Sequence, residues 1–204
     1  MARRIAKWAL LSAAAMTLSA LVAIVCFVGR PILALQQDAG IPLLGDALSD
    51  HIKNAVVAAE DPRFYDRFNI GITHTTITQS LAAQLLAHSP RRHFDLQAQR
   101  LALSLWLAFR FSKDEILEAY LNEAYFGSGA YGIEAAARQY FDKAARDLSL
   151  GETAMLAGML KSPSAYAPER YPDRARNRAA SVLKAMVAAG YITAEEAERA
   201  LGGM

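Results

Sequence analysis

A single cysteine, Cys26, occurs in the 204 residues, and it lies inside an apolar run. An intrachain disulfide and a cysteine-based metal site are therefore excluded. Neither charge nor proline interrupts residues 8–29, WALLSAAAMTLSALVAIVCFVG. No excess of positive charge follows that run. The chain carries 22 Lys and Arg against 20 Asp and Glu; Arg3, Arg4 and Lys7 precede the run, which leaves 19 against 20 after it. That balance excludes a polybasic nucleic-acid binder. Fixed-period repeats, a low-complexity tail and alternating strand patterns of convincing length are also missing. Without alternation, helices carry the fold, and the expected class is all-α.

What is present starts with the run at 8–29. A helix rises about 1.5 Å per residue, so roughly 20 apolar residues cross a bilayer core of about 30 Å. Arg3, Arg4 and Lys7 just before it keep the N-terminus cytoplasmic and send the rest of the chain outward. The rival reading is a cleaved signal peptide, whose apolar region is about 7–15 residues and ends at a small-x-small site. This run is longer, and Val25 before Cys26 makes a poor lipoprotein cleavage site. The expected organisation is a cytoplasmic segment 1–7, a transmembrane anchor 8–29, a stalk 30–50 with Pro31, Gly40, Pro42 and Gly45, and one domain 51–204.

Within the domain three capping boxes are legible: Ser112 with Glu115, Ser149 with Glu152, and Thr193 with Glu196. In each, a hydroxyl accepts from a first-turn N–H while the glutamate reaches back to the cap. Helix-spaced apolar residues follow each one: Ile116, Leu117, Tyr120 and Leu121; Met155, Leu156, Met159 and Leu160; Ala197, Ala200 and Leu201. Residues 96–111 are apolar on most faces, with Leu101, Leu103, Leu105, Trp106, Leu107 and Phe109. A helix apolar all round is usually central, so this one is expected to be the buried core helix.

Three stretches could carry chemistry. Glu60 and Asp61 end the small apolar run 55–59; a partly desolvated carboxylate there would be a better proton acceptor at neutral pH. The same pair also reads as a helix-end acidic couple facing solvent. Thr75, Thr76, Thr78 and Gln79 cluster at a helix start, which suits a phosphate and equally suits an ordinary polar cap. Gly127, Gly129 and Gly132 interleave with Tyr125, Phe126 and Tyr131. Their spacing is neither a dinucleotide nor a Walker pattern, and a helix–helix connection with aromatic packing accounts for it as well.

The order of these segments is more specific than any one of them. AAEDPRFY, TTITQ, SKDEILEAYLN, YFGSGAYGIEAAARQYF, LSLGETAMLAGMLKSPSAYAP and the stretch 178–190 occur in that sequence. Together they resemble glycosyltransferase family 51, the peptidoglycan glycosyltransferase domain of bifunctional penicillin-binding proteins and monofunctional transglycosylases, over roughly 51–201. The resemblance implies a lysozyme-like helical domain set against the extracytoplasmic (periplasmic) face of the bacterial inner membrane. It implies polymerisation of lipid II, or a related polyprenyl-linked sugar, with release of undecaprenyl pyrophosphate. Glu60 takes the general-base role; Asp61, Thr75, Thr76, Gln79, Lys113 and Asn122 take substrate contacts. Cell-wall synthases are the implied partners, and no nucleic acid. With the chain ending at Met204 no transpeptidase domain is expected.

The sequence departs from the family pattern around the implied site. Arg67 and Asn69 stand where a histidine and a glycine are expected, and Ser80 and Ala83 where glutamine and a basic residue are expected. The spacer between the first two motifs is short. Arg100 falls where the family has a second glutamate that helps hold a divalent metal, and Leu96 and Gln97 replace an Arg-Lys pair. No glutamate occurs between Glu60 and Glu115. The metal is thus an implied cofactor without its usual ligand. Arg100, with its planar and permanently charged fork, is expected to meet the pyrophosphate directly, assisted by Arg91 and Arg92. The alternatives are a pseudoenzyme that binds lipid II or a partner synthase, a lytic glycosidase with Glu60 as general acid, and a plain anchored interaction domain.

Overall fold

The structure is a computed structural model and describes residues 48–66, 77–87 and 96–204. The expected anchor, nearly all of the expected stalk, Thr75, Thr76, Arg91 and Arg92 lie outside these residues. Among the described residues no helix is long and apolar enough to cross a membrane.

The described chain is mostly helical. Its helices are α1 (Asp50–Glu60), α2 (Ile77–Ala87), α3 (Leu96–Arg110), α4 (Lys113–Glu123), α5 (Ile133–Phe141), α6 (Leu150–Met159), α7 (Pro172–Ala188) and α8 (Ala194–Gly202). Between α4 and α5 a short antiparallel ribbon pairs β1 (Tyr125–Gly127) with β2 (Ala130–Tyr131).

All three capping boxes form, and they start α4, α6 and α8. Hydrogen bonds from the Ser112 backbone N–H and hydroxyl hold the Glu115 carboxyl below its ordinary range. At the other end of a helix, α7 stops in a Schellman motif. Gly190, at φ +75°, donates to the Val187 carbonyl, and Tyr191 donates to Met186. Ser149→Ala removes the cap of α6 and is expected to cost about 1 kcal/mol. A thermal melt should show it as a Tm lower by about 2–4 °C for a domain of this size.

The central helix is α6. Gly151, Thr153, Ala154, Leu156, Ala157, Gly158 and Met159 are all buried on it. Small residues on several faces let neighbours approach from several sides, and α6 packs against α1, α5, α7, α8 and β1. Leu156 and Met159 are wholly enclosed, each stabilising the fold by about 1.5–3 kcal/mol.

The expectation that residues 96–111 form the buried core helix is overturned. Helix α3 packs on α2 and to a lesser extent α4. Among its described side chains Leu103, Ser104 and Leu107 are buried, and Phe109 is 75% exposed. An all-round apolar pattern identifies a helix that avoids water, not the place it takes in the fold.

The glycine-rich stretch is a hairpin rather than a plain helix–helix connection. Gly127, Ser128 and Gly129 turn the chain at φ +91°, +48° and +83°. Gly132 then leads into α5 at φ +85°, and a Cβ there would stand 2.8 Å from the Asn122 carbonyl oxygen. Glycine meets both requirements. Two hydroxyls tie the ribbon down: Tyr140 donates to the Phe126 carbonyl at 3.0 Å, and Ser128 to Glu169 at 3.3 Å.

Candidate active site

Helix α1 sinks into the domain because Ile52, Ala55, Val56, Val57 and Ala58 are buried, packed against α6 and α7. This draws its last residue, Glu60, inward and leaves it half-buried. The chain then turns at once. The Asp61 N–H donates to the Val57 carbonyl, and the Phe64 N–H donates to the Asp61 carbonyl at 2.9 Å. Asp61-Pro62-Arg63-Phe64 is thus a β-turn with aspartate first and proline second, both favoured there. The turn returns Phe64 fully to the core. Asp61 is 3% exposed, so this pair is not the solvent-facing couple that the sequence also allowed.

Burial pushes the Glu60 carboxyl above its ordinary value, and the positive charges of Arg178 and then Lys161 draw it partly back. The outcome is a half-buried carboxyl within reach of two positive charges. Arg178 stands on α7, with its Nε donating to the Gly158 carbonyl at 3.3 Å and its guanidinium 6.0 Å from the Tyr166 ring centre. Lys161 follows α6 directly. From α4 comes Tyr120, itself buried; its phenol is pushed up by burial and by the Glu60 charge. Three segments that pack together in the core, α1, the end of α6 and α7, thus bring one base and two cations to one place.

A second group adjoins the Asp61–Phe64 turn. Lys113, the first residue of α4, lies with Nζ 4.7 Å from the Phe64 ring centre. Tyr65 donates to Asp114 Oδ1 at 2.8 Å. Lys53 on α1 is 4.0 Å from Asp114 and 3.9 Å from Glu118. These contacts clasp the turn after Glu60 to the start of α4, so the structure brings Lys113 to the Asp61–Phe64 turn. Asn122 stands in the last turn of α4, and half-buried Gln79 on α2. Arg100 is half-buried on α3, where its carbonyl accepts from the Ser104 hydroxyl at 2.6 Å. Among the described residues the cations that act on Glu60 are Arg178 and Lys161. Neither was singled out from the sequence. A signal for Arg178 existed: it interrupts the buried stripe of Ala175, Ala179, Val182, Leu183 and Met186 on α7. A charge kept on a core-facing stripe needs a reason.

A divalent cation would need several oxygen ligands. Among the described residues no three His, Cys, Asp or Glu side chains come together, and α3 carries Arg100 but no carboxylate. The described residues do not fit such an ion, and none enters the chemistry below.

A family model described as transglycosylase matches residues 74–187. Penicillin-binding protein 1A of Aquifex aeolicus (strain VF5) is 39% identical over 174 residues, 76% of this chain and 24% of that protein. Penicillin-binding protein 1F of Bacillus subtilis (strain 168) is 34% identical over 193 residues, 85% of this chain and 27% of that protein. A crystal structure of penicillin-binding protein 1A from Haemophilus influenzae aligns at 34% identity with a TM-score of 0.43, covering 61% of this chain and 16% of that one. The chain spans about a quarter of the length of the curated relatives it matches. On the family match over 74–187, which takes in α2 through most of α7, the chain belongs to the transglycosylase family, the peptidoglycan glycosyltransferases of glycosyltransferase family 51.

Proposed function

We propose that the chain is a membrane-anchored peptidoglycan glycosyltransferase that polymerises lipid II, with Glu60 as general base, in a lysozyme-like arrangement of its helices. The observation that carries this reading is the half-buried position of Glu60 at the end of α1, where burial raises its carboxyl and the charges of Arg178 and Lys161 act on it. Glu60 takes the proton of the acceptor sugar hydroxyl as its oxygen forms a bond to the donor's anomeric carbon. The bond from that carbon to the pyrophosphate breaks, and undecaprenyl pyrophosphate leaves with the electron pair. Arg178, Lys161 and Lys113 supply positive charge to the lipid-linked pyrophosphates, and such a leaving group needs no second acid. Asp61, Gln79, Asn122, Thr75 and Thr76 complete the substrate contacts, and Arg100 meets pyrophosphate in place of the missing carboxylate.

Hydrolysis of glycan would call for two carboxyl groups facing each other across the scissile bond. Among the described residues the charged partners that act on Glu60 are the cations Arg178 and Lys161, which favours transfer. The membrane side of the reading is supported by α3. Leu101, Leu105 and Phe109, one face at i, i+4 and i+8, are only partly covered by protein. Together with the apolar run 8–29 they suit a domain lying on the outer surface of the bilayer, where a polyprenyl-linked substrate resides.

The test is the full chain in liposomes carrying labelled lipid II. A ladder of glycan strands with released undecaprenyl pyrophosphate is expected. Arg100 in place of the family glutamate favours one second reading, a domain that binds lipid II without turnover. Lipid II retained on the protein with no ladder would establish that reading instead. Soluble muropeptides released from sacculi would establish the lytic one.

A further inference from the structure

Helices α6 and α7 make extensive contact with each other, and at Gly158 that contact has no spare room. A Cβ on Gly158 would stand 2.8 Å from Arg178 Cγ, a separation real Cβ atoms do not show, and 3.6 Å from Arg178 Cβ and its carbonyl carbon. The stem of Arg178 therefore runs flat across the glycine. The Gly158 carbonyl, in the last turn of α6, then accepts from Arg178 Nε at 3.3 Å. Late helix carbonyls lack an intrahelical partner, and an arginine is a favourable donor to them. The Tyr166 ring stands 6.0 Å from the guanidinium carbon.

We infer that Gly158 is a positioning residue: its missing side chain and its carbonyl together fix the Arg178 guanidinium beside Glu60. The role of Glu60 in catalysis rests on the reading above, but the placement of Arg178 does not. Glu60 is faced by Tyr120 from α4, Lys161 beyond α6 and Arg178 from α7, with Asp61 next to it in the chain. Of the two cations, Arg178 has the larger effect on Glu60. A methyl group at 158 pushes the Arg178 stem aside, breaks the bond to the carbonyl and weakens that effect. Lys161 keeps its place.

The experiment follows the Glu60 carboxyl carbon by NMR in the glutamate-labelled full chain in nanodiscs, assigned by its loss in Glu60→Gln. Arg178→Ala is expected to move the titration midpoint upward, and Gly158→Ala to move it the same way. The double variant is expected to titrate as Arg178→Ala does. It should also melt higher than Gly158→Ala alone, because removing Cγ removes the clash. If Gly158→Ala does not fold, the double variant must fold for the inference to stand. A wild-type midpoint in Gly158→Ala, or a double variant no more stable than Gly158→Ala, would overturn it. Lipid II turnover adds a separate readout: Gly158→Ala should be slower by roughly 10- to 100-fold. No turnover by wild type, with the NMR shifts as expected, would defeat the enzyme reading and leave the placement of Arg178 standing.

Discussion

Glu60→Gln is expected to lower the rate of lipid II polymerisation by about 10²–10⁴-fold. Glutamine keeps the shape of the side chain and cannot take a proton. The same substitution should not weaken the fold. The folded-state value of Glu60 is raised above the ordinary 4.5 by burial. Above the unfolded value, the ionised carboxylate therefore favours the unfolded chain, and the wild type loses stability as pH rises towards the folded value. Glu60→Gln should melt higher than wild type at pH 7. The two should converge below the unfolded value, where both side chains are neutral. Loss of turnover with an unchanged or higher Tm separates chemistry from folding, whereas a lower Tm at pH 7 would show the desolvated carboxylate to be misplaced.

Arg178→Ala should have the next largest effect, with kcat/KM reduced by about 10²–10³-fold. Its charge acts in two ways. It offsets the burial that pushes the Glu60 carboxyl up, and in the proposed reaction it meets a substrate pyrophosphate. Removing it should shift the ascending limb of the pH–rate profile to higher pH and raise the KM for lipid II. Arg178→Lys should recover only part of the loss, since a lysine ammonium is a point charge without the fork whose Nε reaches the Gly158 carbonyl. A variant that loses rate with the limb unmoved would assign Arg178 to substrate binding alone.

What the sequence made legible was local. Ser112, Ser149 and Thr193 start helices because a capping box needs only four consecutive residues and no tertiary partner. The end of α1 at Glu60 was legible for a similar reason: small apolar residues give way abruptly to an acidic pair and a proline. The place of α3 was not legible, because apolar periodicity records avoidance of water and not what covers the helix. The core position went to α6, whose glycines and alanines permit close approach without standing out in a hydrophobic pattern. The hairpin at residues 125–131 was missed because its strands are too short to show alternation. Arg178 and Lys161 lie more than 100 residues from Glu60 in the sequence, and only the packing of α1 on α6 and α7 joins them. The alternative reading of Glu60 and Asp61 as a solvent-facing pair fails on Asp61, which the turn through Pro62 encloses.

The central claim is that a desolvated Glu60 carboxylate is the base in lipid II polymerisation. The direct measurement is kcat/KM for lipid II as a function of pH, in the wild type and in Glu60→Gln, because that ratio reports the free enzyme's essential base. The wild type should show an ascending limb above the ordinary glutamate value of 4.5, and the residual activity of Glu60→Gln should lack it. A wild-type profile without that limb, or the same limb in Glu60→Gln, would contradict the assignment.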